Sequence, residues 1–503
     1  MNFNWRQVDI RIYAVLTSLF ISTFTILVPQ HTNDDAYAYI RTAEIFSTDG
    51  FSAAFQHYSW ASYSILISLL GLLGIKLFTA AYLINALFFA LLVFAFISIV
   101  REIDDSESLL VFAAVSILVY PELNEYRYFV IRDVGFWAFS VFALWQFLLY
   151  TKQPILKYGL GFCVSLIVAT MLRVEAIVYL LMTPFALLLD YRFELQQRRN
   201  RFLKLIQIIG AAAGASFILL LLIGLNIQQL FLEFVSVYKP FLLDLFSPDA
   251  AESYEISRAL FNEHAAAYSQ EYIALFIVAG LTAMLFAKLI SGIGGPYLVV
   301  LIFGLFGRKL RLNRHIALPI VFYLLVNLLI LFAFVFVTRY LSSRYTILMC
   351  ILLGLFIPLI LFRLLQNARS NRKNFVKIFI VLFVTYCVID SYYSFGRPKD
   401  YLDNAIDWIV QQRETPGGLV TNSHALAYNS GKIEDYDKTL FNLTAIDILD
   451  TAPGDLVAVE LRYEMEQLFS SDDIARVLEL EIEFSDADRR RIAIYRRIQG
   501  SPL

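Results

Sequence analysis

Residues 29–63 read PQHTNDDAYAYIRTAEIFSTDGFSAAFQHYSWASY and directly follow an apolar stretch long enough to cross a bilayer. Two adjacent acids in this segment, Asp34 and Asp35, stand close to the predicted membrane boundary. Charged side chains at that depth are costly unless they are solvated, paired or bound to a metal. The segment therefore predicts a functional loop at the water–lipid boundary, held there by a scaffold of membrane-spanning helices.

The composition predicts a polytopic membrane protein. Of the 503 residues, 59% are hydrophobic and 17% are charged, whereas soluble proteins have about 45–50% apolar and about 25% charged residues. The mean hydropathy of +0.64 agrees with this class. The net charge of −2 and the lack of a basic domain give no reason to expect a nucleic-acid partner. The cysteines lie in apolar runs without a CxxC motif, which is typical of small core residues.

Lysine and arginine collect on the cytoplasmic side of a membrane, so their distribution predicts the orientation of the chain. A first span at about residues 12–28 follows Arg6 and Arg11, which puts the N-terminus inside and the acidic loop outside. If about eleven helices cross the bilayer, the strongest basic clusters lie inside, at residues 192–204, 308–314 and 363–373. The same scheme predicts outer loops at residues 30–78, 121–133, 226–271 and 338–345.

Two segments leave the number of crossings open. Residues 60–100 are interpreted as a half-buried helix at about 62–74 and one span at about 79–100, because two crossings would put Arg198 and its basic neighbours outside. Residues 272–307 contain a cluster of glycines and Pro296, and are interpreted as one long, broken crossing.

The composition changes near residue 390, which predicts a transmembrane domain over residues 1–390 and an outer domain over residues 391–503. An amphipathic helix is predicted at residues 401–412 and a second helix at about 471–480. Strands are predicted at residues 419–422, 455–461 and 491–497. Alternating helices and strands indicate a small α/β domain.

Two motifs carry a family resemblance. The pattern N-D-D-x-Y-x-Y-x-R-x-A-E at residues 33–44 resembles the first-loop motif of the GT-C glycosyltransferases, in their protein-mannosyltransferase and aminoarabinose-transferase branches. The turn R-Y-x-x-x-R-Y at residues 339–345 is similar to the late periplasmic Arg-Tyr motif of that family. The resemblance implies an all-α polytopic membrane domain, a small C-terminal α/β periplasmic domain, and an inverting enzyme of a bacterial inner membrane. Such an enzyme moves a sugar from a polyprenyl-phosphate donor to a lipid, glycan or protein acceptor.

The resemblance also assigns roles to individual residues. It makes Asp34 the base, matches Asp35 to the second acid of the motif, and matches Asp133 to the acid of the second outer loop. It makes Arg339 and Arg344 ligands of the phosphate, since a departing phosphate needs cations. The remaining expected substrate contacts are Tyr345, Arg132, Tyr39 and His57. The cofactor stays open between none and a divalent metal ion held by Asp34, Asp35 and Asp133.

Each of these residues also has a purely structural interpretation. Asn33 or Asp34 would cap the helix that follows, and Asp133 would pair with Arg132 or Arg127. Arg339 and Arg344 would extend from the membrane surface toward water without binding a ligand, as arginines at this boundary often do. Arg173 and Glu175 would only pair with each other across a turn.

Two other functions compete with the enzyme. A transporter of lipid-linked sugars or another solute would show inverted repeats and ionisable groups near the middle of the bilayer, and neither is evident in the sequence. A non-catalytic subunit of envelope-glycan assembly is the second alternative. Neither the sugar nor the acceptor can be predicted from these residues.

Overall fold

The computed structural model describes residues 9–27, 32–222, 232, 250–307, 312–368, 370–393, 400–412, 417–486 and 490–498. These residues form helices and one four-stranded sheet. Their packing divides the chain into two compact units. Unit 1 comprises Met1–Phe24, Leu83–Arg127 and Arg132–Phe395, and unit 2 comprises Thr25–Tyr82, Tyr128–Ile131 and Gly396–Leu503. The predicted domain division at residue 390 stays a prediction.

The first half of the chain is helical. Its α-helices are α1 (Ile10–Leu27), α2 (Asp35–His57), α3 (Ser62–Gly71), α4 (Leu77–Ile103), α5 (Glu107–Leu118), α6 (Pro121–Asn124), α7 (Asp133–Lys152), α8 (Leu156–Leu172), α9 (Ala176–Met182) and α10 (Leu195–Leu222). Short 3-10 helices cover Glu125–Tyr128 and Thr183–Leu189. The predicted helix at 62–74 and span at 79–100 correspond to α3, which ends earlier at Gly71, and to α4, which is longer at both ends.

The next described helices continue this pattern. They are α11 (Ala250–Phe261), α12 (Glu263–Ser269), α13 (Ile273–Ile293), α14 (Gly295–Phe306), α15 (Arg314–Thr338), α16 (Ser343–Gly354), α17 (Phe356–Gln366) and α18 (Ser370–Tyr393). Half of the predicted outer loop at 226–271 lies outside the described residues, as do residues 30–31 of the first loop and 308–311 of a predicted basic cluster.

Seven of the described helical segments are long and apolar enough to cross a membrane, or eight if the bent pair Glu107–Leu118 and Pro121–Tyr128 is one span. Shorter apolar helices accompany them, among them Ser62–Gly71 and Gly295–Phe306. The polytopic all-α class is therefore confirmed. The predicted number of crossings stays a prediction, because helix length alone does not say which of the shorter helices cross.

The predicted break within residues 272–307 falls at Gly294, between α13 and α14. Gly294 has a φ of 77°, a left-handed backbone conformation that residues with a Cβ rarely adopt. A Cβ at this position would also collide with the Glu122 carboxylate. The backbone conformation explains why the chain has glycine where one helix ends and the next begins, and a Cβ would in addition force the Glu122 carboxylate to move.

Unit 2 contains the sheet, whose strands are β1 (Leu419–Thr421), β2 (Leu456–Leu461), β3 (Leu478–Ser485) and β4 (Arg491–Arg497), in the order β1-β2-β4-β3. β1 pairs parallel to β2, and the other pairs are antiparallel. The helices around it are α19 (Asp400–Gln411), α20 (His424–Ser430), α21 (Ala445–Leu449), α22 (Tyr463–Phe469) and α23 (Asp472–Ala475). This arrangement confirms the small α/β domain.

One predicted element in this unit is wrong in part. The helix expected at residues 471–480 ends at Ala475, and Leu478 begins β3. Leu478, Ile482 and Phe484 alternate with glutamates along the strand, which is the period of a half-buried strand. Glutamate favours helices, so local propensity pointed away from the strand that tertiary packing selects.

Helix α2, from the first loop, shares its hydrophobic core with the C-terminal part of unit 2. Tyr37 of α2 is 4% exposed and packs in one cluster with Tyr401, Leu426 and Ile494. A hydrogen bond supports this packing, because the Tyr436 hydroxyl donates to Glu44 Oε2 at 2.8 Å. The first loop is therefore an integral part of unit 2.

Candidate active site

The first candidate site, in unit 1, is built around a buried arginine. Arg173 lies between the end of α8 and the start of α9, and its side chain is 9% exposed. It forms ion pairs with Asp133, the first residue of α7, and with Glu175, at 2.6 Å between Nη2 and Oε1. Because one guanidinium serves two carboxylates, the ends of α7 and α8 are joined by charge as well as by packing.

Aromatic rings enclose the same guanidinium. Its central carbon is 4.3 Å from the centre of the Tyr345 ring and 5.7 Å from that of Phe136. The Arg344 guanidinium also lies over the Tyr345 ring, with its central carbon 5.2 Å from the ring centre. Its Nη2 is 3.3 Å from the Tyr345 hydroxyl. Guanidinium groups over aromatic faces are attracted by the ring quadrupole, so Tyr345 holds both arginines.

We call Arg132, Asp133, Arg173, Glu175 and Arg344 the arginine cluster. Arg132 and Arg344 both act electrostatically on Asp133, together with Arg173. Three arginines and two carboxylates leave one net positive charge. Such a surplus at the border of an apolar region attracts an anion, and guanidinium groups suit phosphate oxygens.

An apolar cavity of about 210 Å³ borders the arginine cluster at Glu175. Its other walls come from α9 and α15 and include Ile177, Ile330 and Phe334. A smaller space of about 20 Å³ adjoins it and is lined by Arg173, Glu175 and Tyr345. Cations and an apolar cavity therefore lie side by side in unit 1, an arrangement suited to a ligand with an anionic head and a hydrocarbon tail.

The second candidate site, in unit 2, contains the acids of the first loop. Asp34 occupies the N-cap position of α2, yet its side chain makes no capping hydrogen bond. Asn33 does not cap either; its Oδ1 accepts from the Val130 backbone N–H at 2.9 Å and ties the loop to residues 128–131. The Asp34 side chain is 63% exposed, and its Oδ1 lies 3.8 Å from His424 Nδ1. The capping interpretation of Asp34 is therefore wrong, and its carboxylate is open to a ligand.

The other predicted residues of unit 2 lie near protein partners. Asp35 is in the first turn of α2. Tyr39 is 3% exposed and packs edge-on against Tyr58 and Tyr63. His57 Nε2 lies 2.7 Å from Asp437 Oδ2, which links the end of α2 to the C-terminal segment. Tyr39 and His57 thus both help to hold the loop together.

The structural alternatives for the arginines and Asp133 have mixed outcomes. Asp133 is paired, but with Arg173 and not with Arg127. Arg127 instead donates hydrogen bonds to Asn124, Ser18 and Ser22. Arg339 is exposed and follows the last residue of α15 as its C-cap, with a φ of 53°.

The predicted residues are thus distributed over both units. Unit 1 contains Arg132, Asp133, Arg339, Arg344 and Tyr345, and unit 2 contains Asp34, Asp35, Tyr39 and His57. Within the described ranges, no group of three or more His, Cys, Asp or Glu side chains could hold a metal ion. Because Asp133 is already paired with Arg173, a cation at this carboxylate would meet a positive charge.

Sequence reasoning missed Arg173 and Glu175 as members of the site, and missed His424 altogether. The signal for Arg173 and Glu175 was available, because ionisable residues at the end of an apolar helix are costly unless they serve a purpose. No signal pointed to His424, which is almost 400 residues from Asp34 in the sequence.

Two solved structures show what this chain is similar to. ArnT from Cupriavidus metallidurans, bound to undecaprenyl phosphate, is 13% identical over 96% of this chain and 97% of that chain, with a TM-score of 0.50. The archaeal oligosaccharyltransferase AglB from Archaeoglobus fulgidus, in complex with an inhibitory peptide and a dolichol-phosphate, is 12% identical over 97% of this chain and 74% of that chain, also with a TM-score of 0.50. Neither a protein-family model nor a curated protein matches the sequence. The chain therefore has the fold of the GT-C glycosyltransferases, which confirms the resemblance at the level of the fold.

Proposed function

Since the chain has the GT-C fold, we propose that it is a membrane glycosyltransferase that moves a sugar from a polyprenyl-phosphate donor to an acceptor. The structures of ArnT with undecaprenyl phosphate and of AglB with a dolichol-phosphate support a donor of this class. The observation that carries the proposal is the arginine cluster beside the apolar cavity in unit 1. One net positive charge and a hydrocarbon-lined space match the two parts of a lipid phosphate.

The proposed reaction assigns a role to most of the predicted residues. Asp34 takes the proton from the acceptor hydroxyl, whose oxygen attacks the anomeric carbon while the bond from that carbon to the phosphate oxygen breaks. The configuration inverts, and polyprenyl phosphate leaves with the bonding electrons. Arg344 and Arg339 stabilise the departing phosphate, assisted by Arg132 and Tyr345. Asp35 supports the base.

Asp133 serves this reaction through Arg173 in our proposal. Its carboxylate orients the guanidinium, and Tyr345 and Glu175 hold the opposite sides. These contacts keep the Arg173 guanidinium in the arginine cluster, next to Arg344. No step of this mechanism uses a metal ion, and the residues of the arginine cluster supply the positive charge that a metal would bring.

We further propose a bacterial inner-membrane location, with the N-terminus inside and the C-terminal segment outside. The basic clusters at residues 192–204 and 363–373 support this orientation. Reporter fusions test it: fusions after Gln197 and Asn371 should be active only with a reporter that works inside, and a fusion after Gly431 only with one that works outside. An inside signal at Gly431 would overturn the scheme.

Binding of the lipid is the direct test of the donor class. The purified chain in lipid nanodiscs should retain undecaprenyl phosphate and not undecaprenol, which has the same tail without the phosphate. Transfer is then assayed with a panel of undecaprenyl-phosphate sugars and cell-envelope glycans as acceptors. Retention of both lipids alike would contradict a phosphate site, and movement of the intact lipid-linked sugar across the bilayer without transfer would favour a transporter.

A further inference from the structure

His424 stands at a place in the sheet that is typical of functional residues. It opens α20, three residues after β1 ends at Thr421, and β1 is parallel to β2. In α/β sheets, ligands bind beyond the carboxyl ends of parallel strands. The position is also rigid, because Asn422 Oδ1 accepts from the Glu460 backbone N–H at 2.8 Å while its Nδ2 donates to the Glu460 carbonyl at 3.1 Å. These bonds fix the start of α20 to the end of β2.

The imidazole ring of His424 is held against a flat neighbour. It stacks on the Tyr37 ring, with 6.0 Å between the ring centres and 21° between the planes. Tyr37 is itself fixed in the core of unit 2 at 4% exposure. Burial, and after it the Asp34 carboxylate, raises the pKa of Tyr37 above its ordinary value, so the phenol stays neutral. Stacking on Tyr37 therefore restricts the His424 ring without placing a second negative charge beside Asp34.

The edge of the held ring lies beside the exposed carboxylate. His424 Nδ1 is 3.8 Å from Asp34 Oδ1, and the two side chains are 16% and 63% exposed. The carboxylate thus meets solvent on one side and imidazole on the other. A distance of 3.8 Å is longer than a hydrogen bond, but catalytic hydrogen bonds are often long without substrate and shorten when it binds.

We propose that His424 is a positioning residue that fixes the Asp34 carboxylate toward the acceptor. The inference rests on the proposed function, in which Asp34 is the base, and it gives the C-terminal segment a part in the reaction. A base oriented by a third group is a common feature of transfer enzymes. His424 takes up no proton in this role: Asp34 receives the acceptor proton and releases it to solvent after the sugar is transferred.

A double-mutant cycle on the full-length chain in nanodiscs tests the inference, with transfer of the donor sugar as the readout. His424→Ala should lower kcat about tenfold or more, as expected for loss of one hydrogen bond to a charged group, with KM for the donor unchanged. His424→Asn should retain most of the activity, because the asparagine amide can occupy the position of Nδ1. The double variant Asp34→Asn/His424→Ala should be no slower than Asp34→Asn alone, since His424 acts only through Asp34. The control is His264→Ala, an exposed histidine that should leave kcat unchanged.

The outcomes separate the two proposals. If the wild-type protein transfers no sugar from any donor of the panel, the proposed function is wrong, and so is the proposed role of His424. If the unchanged chain is active and His424→Ala matches it, the inference alone is overturned. A multiplied loss in the double variant, or equal losses in His424→Ala and His424→Asn, would also overturn it, since a structural defect acts independently of Asp34. The thermal unfolding midpoint of each variant shows whether it is folded.

Discussion

Asp133 and Arg173 lie forty residues apart in the sequence and form an ion pair whose side chains are only 3% and 9% exposed. The same arginine pairs with Glu175 and lies over the ring of Tyr345. Buried charges are tolerated only when they are paired and hydrogen-bonded. The start of α7, the start of α9 and the first turn of α16 are therefore interdependent through this one guanidinium.

Replacing Arg173 should destabilise the protein strongly. Arg173→Ala leaves two buried carboxylates without their partner, and breaking a buried pair typically costs about 3–5 kcal/mol. Thermal unfolding in detergent micelles measures the effect. The matched control is Arg258→Ala, whose ion pair with Glu263 has side chains that are 50% and 70% exposed, and such a pair contributes about 0–1 kcal/mol. Equal shifts in the two variants would show that the Arg173 pairs contribute no more than a surface ion pair.

Gly294 should be intolerant of even a methyl group. Gly294→Ala puts a Cβ on a left-handed backbone, which costs about 1–2 kcal/mol, and displaces the Glu122 carboxylate. We expect a clear loss of thermal stability. Gly280→Ala, in the middle of α13 with no neighbour near its Cβ, should be neutral or stabilising, because alanine favours helices by about 1 kcal/mol over glycine. A stable Gly294→Ala protein would mean that the helix break is adaptable.

Arg344→Lys should separate a phosphate ligand from an arginine that merely extends toward water. Lysine keeps the charge but loses the planar fork that pairs with phosphate oxygens and stacks on Tyr345. A charged hydrogen bond is worth about 1.5–3 kcal/mol, so transfer should fall about tenfold or more while the protein level in membranes is unchanged. The same substitution at Arg339 tests the second predicted ligand. Full activity in both variants would identify them as ordinary interfacial residues.

The elements that carry a strong periodic pattern could be predicted from the sequence. The apolar run that forms α4 predicted a span, and the glycines around residue 294 predicted the break between α13 and α14. Both features depend on local chemistry. Strands β1, β2 and β4 were predicted for the same reason. β3 was not, because its glutamates favour a helix locally and only pairing with β4 makes the segment extended.

The candidate sites show the other limit of the sequence. Asp34 was found because its diacidic motif is local and sits beside a membrane span. Its neighbour His424 could not be found, since their contact depends on the core around Tyr37, which joins residues far apart in the chain. Arg173 was visible but was interpreted as half of a local pair with Glu175. Its second partner, Asp133, depends on how α7 packs against α8.

Sugar transfer by Asp34→Asn, measured against Asp49→Asn, tests the central claim most directly. Asparagine keeps the size of Asp34 and removes the negative charge and the basic oxygen. Since Asp34 makes no capping hydrogen bond, the change should leave the fold intact. Asp49 is an exposed acid of the same helix and is the matched control. With transfer from an undecaprenyl-phosphate sugar normalised to protein level, Asp34→Asn should be slower by about 10²–10⁴, the usual contribution of a general base, and Asp49→Asn should match the unchanged chain. Equal transfer by the two variants would contradict the assignment of Asp34 as the base and of the first loop as the active site.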